Sequence, residues 1–169
     1  MALEAQKMTA QNSVAAKMAE CYITIDGQRY NFMTAINLEV TFEKNKTEVP
    51  ILGRMNKGHK SVSSSITGSA EFHFNTSVWR QLAYDFQETG LDTYFTMQIK
   101  NEDITSNVGA QEIVLYGCNF DTITLAAFDA DSDDILTESM DFTAETFEIK
   151  SKFNEVNGNT DVMGMKVTD

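Results

Sequence analysis

Few residues in this chain have the type and spacing to do chemistry. Gly53 to Ser61 reads GRMNKGHKS, one position out of step with a phosphate-cradling GxxxxGK loop, because His59 stands where the lysine belongs. A phosphate loop must also hand over to a helix whose first amides bind the anion, and here a serine-rich strand pattern follows. Asp129, Asp131 and Asp133 copy the opening of a calcium loop, yet Asp134 replaces the turn glycine and Met140 the bidentate glutamate. His73 lies beside Glu71 on the polar side of a strand pattern, with no activated nucleophile near it, which leaves hydrolysis without its main actor. His59 is one more polar residue of a basic segment. The two cysteines, Cys21 and Cys118, are too isolated for a disulfide framework or a metal knuckle, and read as buried thiols in strands. No catalytic residue, cofactor or metal is expected.

What the chain does have is an uneven charge. Its 169 residues, 42% of them apolar, suit one compact domain. The net charge of −12 argues against whole-surface attraction to nucleic acid or anionic lipid. Residues 1–60 carry eight basic and six acidic side chains, whereas 61–169 carry five and nineteen. Lys44, Lys46, Arg54, Lys57 and Lys60 cluster around a lone Glu48, while residues 120–148 hold nine acids and no base. Segments of opposite sign on one molecule attract each other between copies, head to tail, as readily as they attract a foreign partner. Neither a membrane span nor a signal peptide is legible, so production in a cytoplasm without a membrane anchor is the expectation.

The elements that must position these residues are almost all strands. Cys21–Ile25 is a short strand, and Asp26-Gly27 supplies a tight hairpin turn. Tyr30 to Phe42 alternates with period two, placing Tyr30, Phe32, Thr34, Ile36, Leu38, Val40 and Phe42 on one face. Residues 45–62 hold the single proline, Pro50, together with Gly53 and Gly58, and read as a long loop. Strand patterns resume near Ile66–Phe74, then at Thr93–Lys100, Glu112–Cys118, Phe120–Phe128 and Leu136–Ile149. One helix is expected, starting after Thr76 or Ser77, with Val78, Trp79, Leu82, Ala83 and Phe86 as its apolar stripe and Gly90 as its stop. The sum is a mainly β domain of about seven strands and one helix over residues 20–153, with an N-terminal arm at 1–19 and a tail at 154–169.

The stretch FEKNKTEVPILGRMNKGHK at 42–60 resembles the tail tube proteins of contractile-tailed phages, especially those of PBSX-like defective prophages and phage-tail-like bacteriocins. Further matches follow in order: TGSAEFHF at 67–74, DTYFTMQ at 92–98, EIVLYGCNFD at 112–121 and DFTAETFE at 141–148. The resemblance covers about residues 20–153. It implies an antiparallel β-sandwich or barrel with one flanking helix, forming hexameric rings that stack into a hollow tube inside a contractile sheath. It further implies that the loop at 44–60 reaches neighbouring subunits and rings. Sheath, tape measure and baseplate proteins are then the implied partners, and DNA passes through the lumen without specific binding if the particle is a phage.

On this reading Lys44, Lys46, Arg54, Lys57 and Lys60 dock onto acidic surfaces of neighbours. Glu39, Glu71, Asp141 and Glu145, on polar faces of strands, are the candidates for the lumen or an interface. The alternatives are the tube subunit of a related contractile secretion system, or a monomeric β-sandwich binding module whose long loop gates a small-molecule or peptide site.

Overall fold

The computed structural model describes residues 10–154; the greater parts of the expected arm and tail, residues 1–9 and 155–169, lie outside them. After a 3-10 turn at Ala10–Asn12 come β1 (Ala19–Ile25), β2 (Gln28–Asn31), β3 (Ala35–Val49), β4 (Gly58–His73), α1 (Val78–Thr89), β5 (Phe95–Glu102), β6 (Ala110–Ile123), β7 (Thr137–Ala144) and β8 (Thr146–Ser151). All pairings are antiparallel. The strand order is β2-β1-β5-β6-β7-β4-β3, with β8 also on β6. The result is an antiparallel β-sandwich with one flanking helix. One sheet is β2-β1-β5-β6-β8, and the other is β6-β7-β4-β3.

Two chain segments change sheets at one corner. The first half of β6 pairs with β5 and β8, the second half with β7. The β7–β8 run makes the same change at Glu145, which interrupts the expected single strand at Leu136–Ile149. The expected strands at Glu112–Cys118 and Phe120–Phe128 are accordingly one strand with a bend, ending at Ile123. At the bend Gly117 has φ +64°, and a Cβ there would lie 2.8 Å from Cγ of Glu145. Gly68 meets a different obstacle, because a Cβ on it would lie 2.3 Å from the buried Phe142 ring on the paired strand.

These two glycines predict unequal costs. Gly117→Ala requires a left-handed backbone, about 1 kcal/mol, but the exposed Glu145 side chain can swing aside. Gly68→Ala overpacks a ring that has nowhere to go and is expected to cost roughly 2–3 kcal/mol. Urea unfolding of both variants checks the order, which reverses if Phe142 has room to move.

The core lies between the sheets, built from Ile23, Ile25, Ile66, Phe72, Met97, Leu115, Met140 and Phe142 among others. Cys21 and Cys118 sit in β1 and β6, and burial pushes both thiols up to about 12. Helix α1 ends at Gly90, whose φ is +69° and whose N–H donates to the Phe86 carbonyl, as expected. Trp79 and Leu82 are buried, but Phe86 is half exposed, so the core-facing stripe is shorter than expected.

The first half of the chain departs most from the sequence pattern. The Asp26-Gly27 turn joins β1 to β2, with both residues at positive φ. The expected strand Tyr30–Phe42, however, is broken at 32–34, and its two halves lie in different sheets. A register shift between Ala35 and Asn37 follows, and Ile36, expected inward, is exposed while Leu38 and Val40 pack against the core. The expected loop at 45–62 is mostly a hairpin. β3 and β4 stay paired from Ala35↔Phe72 to Val49↔Gly58, leaving 50–57 as the turn.

Candidate functional site

The hairpin's outer part stands clear of the sandwich. β7 accompanies β4 only as far as the Ile66↔Ala144 pair, whereas β3 and β4 continue together through seven more pairs, Glu43↔Ser65 to Val49↔Gly58. At about 3.3 Å per residue the extension projects by roughly 25 Å. No strand pairs with its outer edges among the described residues. Its side chains have no core to face, so apolar alternation stops at Phe42 while the backbone ladder goes on.

The five predicted basic residues all lie on this extension and all are exposed. Lys44 stands opposite Ser64, Lys46 opposite Ser61 and Lys60 opposite Thr47. Arg54 and Lys57 are in the turn, around a shallow groove with Ile51, Met55 and Gly58. Lys57 Nζ lies 2.7 Å from Oε2 of Glu48, with both side chains more than half exposed. Such a pair contributes at most about 1 kcal/mol and leaves the ammonium free to change partner. The phosphate-loop resemblance ends here, since Gly58 opens a strand and not a helix.

The acidic candidates separate into a group and an outlier. Glu39 pairs across with Ser69 and Ser69 with Asp141, while Glu71 lies in the next row between Asn37 and Ser139. Cross-strand partners share a face, so Glu39, Glu71 and Asp141 are together on the outward face of the β3-β4-β7 sheet. The Thr122 hydroxyl donates to Oδ2 of Asp141 at 2.9 Å. Stretches 37–43, 67–71 and 139–143 contain neither lysine nor arginine, which makes this face acidic throughout. Glu145, also expected on a strand face, instead occupies the corner beside Gly117, because the change of sheet breaks the strand there. His73 is half-buried at the end of β4, where its backbone N–H donates to the Thr34 carbonyl. Among the described residues no group of His, Cys, Asp and Glu is placed to hold a metal ion, and no helix is long and apolar enough to cross a membrane.

Three buried or exposed features escaped the sequence reading. Asp103 is buried in the β5–β6 connection, where its carboxylate accepts from the Thr105 hydroxyl and from the amides of Ala15 and Thr105. Chiefly the Thr105 hydrogen bond, then the two amides, holds it below the usual carboxylate range. It thereby fixes part of segment 10–18 to this connection, together with the Asn107 N–H donating to the Gln11 carbonyl. Glu138 is buried against Arg80 at 2.7 Å; its shared parity with Met140 and Phe142 was a readable signal. The exposed apolar residues Leu52 and Met55 at the hairpin tip carried no such signal.

The model of a family described as phage tail tube protein matches residues 6–150. This chain belongs to that family. Phage-like element PBSX protein XkdM of Bacillus subtilis (strain 168) is 35% identical over 148 residues, covering 88% of this chain and 97% of that protein. A chain in the cryo-EM structure of the anti-feeding prophage baseplate, 6-fold symmetrised, superposes with a TM-score of 0.63 at 10% identity, over 84% of this chain and 97% of that one. A chain in the PVC sheath-tube complex of an extracellular contractile injection system, in the extended state, gives 0.63 at 11%, over 84% and 94%. At these identities the likeness to the solved structures is one of fold. The tail tube family is a structural one and not a family of enzymes. The tail tube protein described above is accordingly a component of a phage tail or tail-like particle.

Proposed function

We infer that six copies of this tail tube protein close into a ring, and that rings stack into the hollow inner tube of a contractile particle. The observation that carries this reading is the projecting hairpin, whose seven unaccompanied residue pairs expose two open ladder edges and a basic, apolar tip. Open edges of that length invite aggregation unless another chain covers them, and a sister copy covers them by strand addition. Lys44, Lys46, Arg54, Lys57 and Lys60 supply the docking charge. The acidic face with Glu39, Glu71 and Asp141 lines the lumen, where the absence of cations avoids the counterion release that makes DNA stick. Glu145 serves at the subunit corner. Sheath outside, tape measure inside and baseplate at one end are the partners this role requires, and assembly takes place in the host cytoplasm. DNA delivery or membrane breaching is the tube's task, and the 20–153 domain is the part that forms its wall.

The test is the size and shape of the purified protein. Negative-stain microscopy and sedimentation are expected to show rings or rods for the native chain. Lys57→Glu/Lys60→Glu is expected to reduce sedimentable tubes at least tenfold with unchanged circular dichroism. A native chain that stays monomeric at high concentration would instead favour the gated binding module. Normal tube yield from the double variant would remove the docking role of these lysines.

A further inference from the structure

The hairpin tip and the connection between β6 and β7 lie at opposite ends of the same sheet. Pairing fixes this: the tip follows Val49↔Gly58, beyond the end of β7, whereas the connection adjoins the other end, where His73 pairs with Thr137 and the Phe74 N–H donates to the Leu136 carbonyl. The two ends have matching chemistry of opposite sign. At the tip, Leu52 and Met55 are fully exposed (103% and 102%) and alternate along the chain with Arg54 and Lys57. In the connection, Phe128 and Ile135 are 91% and 76% exposed and bracket Asp129, Asp131, Asp133 and Asp134. Large apolar side chains left in water at both ends are costly to the isolated subunit, at about 25 cal/mol for each Å² that another chain could cover.

We propose that the tip at 51–57 of one copy docks onto the 125–136 connection of the next, Leu52 and Met55 against Phe128 and Ile135, with Arg54 and Lys57 facing the aspartates. This rests on the tube reading and names the partner surface within it. Second copies are the occupants because one chain carries both halves of the match, at opposite ends of one sheet. A contact between different patches of identical molecules closes into a ring where its rotation returns to the start and otherwise propagates; here the two patches lie apart along the strand direction, so the contact repeats that way. Within one copy the Asp131 amide donates to Oδ1 of Asp129, two residues earlier, and the Asp134 amide to the Ser132 hydroxyl, which gives the connection local shape before any partner arrives. Lys57 exchanges its exposed Glu48 for an aspartate of the next copy without losing an ion pair.

Charge exchange tests the contact. Arg54→Glu/Lys57→Glu and Asp131→Lys/Asp133→Lys are each expected to reduce sedimentable assemblies at least tenfold, and the chain carrying all four changes is expected to recover them. Because every changed residue is exposed, circular dichroism and thermal unfolding should match the native chain. A second readout uses full-length Met55→Cys/Phe128→Cys under mild oxidation, where a ladder of disulfide-linked oligomers is expected; the native chain, with Cys118 buried and Cys21 half-buried, is the control for any background from these thiols. Native-like assembly by Asp131→Lys/Asp133→Lys, or no ladder from assembled double-cysteine protein, overturns this contact while leaving the tube intact. A native chain that never assembles overturns the tube reading itself.

Discussion

Replacing Trp79 by alanine is expected to lower the unfolding free energy by about 3–5 kcal/mol, the range for removing a fully buried large aromatic. For a domain of this size the transition should fall by roughly 10–15 °C. Trp79 is 1% exposed and is the point at which the helix meets both sheets. Its ring centroid lies 5.4 Å from Phe32, 5.9 Å from Phe72 and 5.6 Å from Phe95. Phe95 belongs to one sheet, Phe72 to the other, and Phe32 to the short link where the chain passes from β2 to β3. Alanine would therefore empty the junction that holds α1, that link and both layers together. Trp79→Phe should cost much less, about 1–2 kcal/mol, since the indole N–H has no hydrogen-bond partner to lose. Chemical denaturation followed by circular dichroism measures both, because the chain's single tryptophan is the residue removed. A cost below 1 kcal/mol for alanine would mean that the sandwich closes without the helix.

How much of this was legible depends on whether a strand had a core to face. The helix was readable from Val78 to Gly90 because Trp79 and Leu82 face inward and the glycine stop has its own signature. The Asp26-Gly27 turn was readable for the same reason, since few other pairs accept two positive φ angles. The hairpin was hidden because hydrophobic alternation reports burial and not backbone pairing. From Glu43 to Val49 the chain is paired to β4 yet surrounded by solvent, so its sequence reads as a charged loop. The break at Glu145 had no punctuating Gly or Pro of its own; Glu145 there lies against Gly117 on another strand, a long-range contact that no local pattern records. As for the site, residue type alone located the basic cluster. That Glu39, Glu71 and Asp141 share one face while Glu145 does not required the register. The exposed Phe128 reads as the end of a strand, whereas with Ile135 it brackets an acidic connection.

That connection is held by one buried ion pair, and removing its cation should be among the most damaging single changes outside the aromatic core. Glu138, 4% exposed, faces the interior of the sandwich next to Met140 and Phe142. Its Oε2 accepts from Arg80 Nη1 at 2.7 Å, while Oε1 has no partner. Arg80 also donates to the carbonyls of Thr124 and Thr76 and lies over the Phe74 ring at 4.2 Å. One guanidinium thus joins the start of α1, the end of β4 and both flanks of the 125–136 connection. Arg80→Ala strands a buried carboxylate, for which about 3–5 kcal/mol is typical. Arg80→Lys should recover little of this, because a single ammonium cannot reach a carboxylate and two carbonyls in a fixed fork. Arg80→Ala/Glu138→Leu separates the two roles. Relieved of its unpaired charge, the double variant should regain most of the thermal stability. Without the bond to Thr124, its β6–β7 connection should still exchange amide hydrogens faster than in the native chain, and assembly should remain weakened. If the double variant assembles like the native chain, Arg80 serves only to neutralise Glu138, and the connection holds its shape without it.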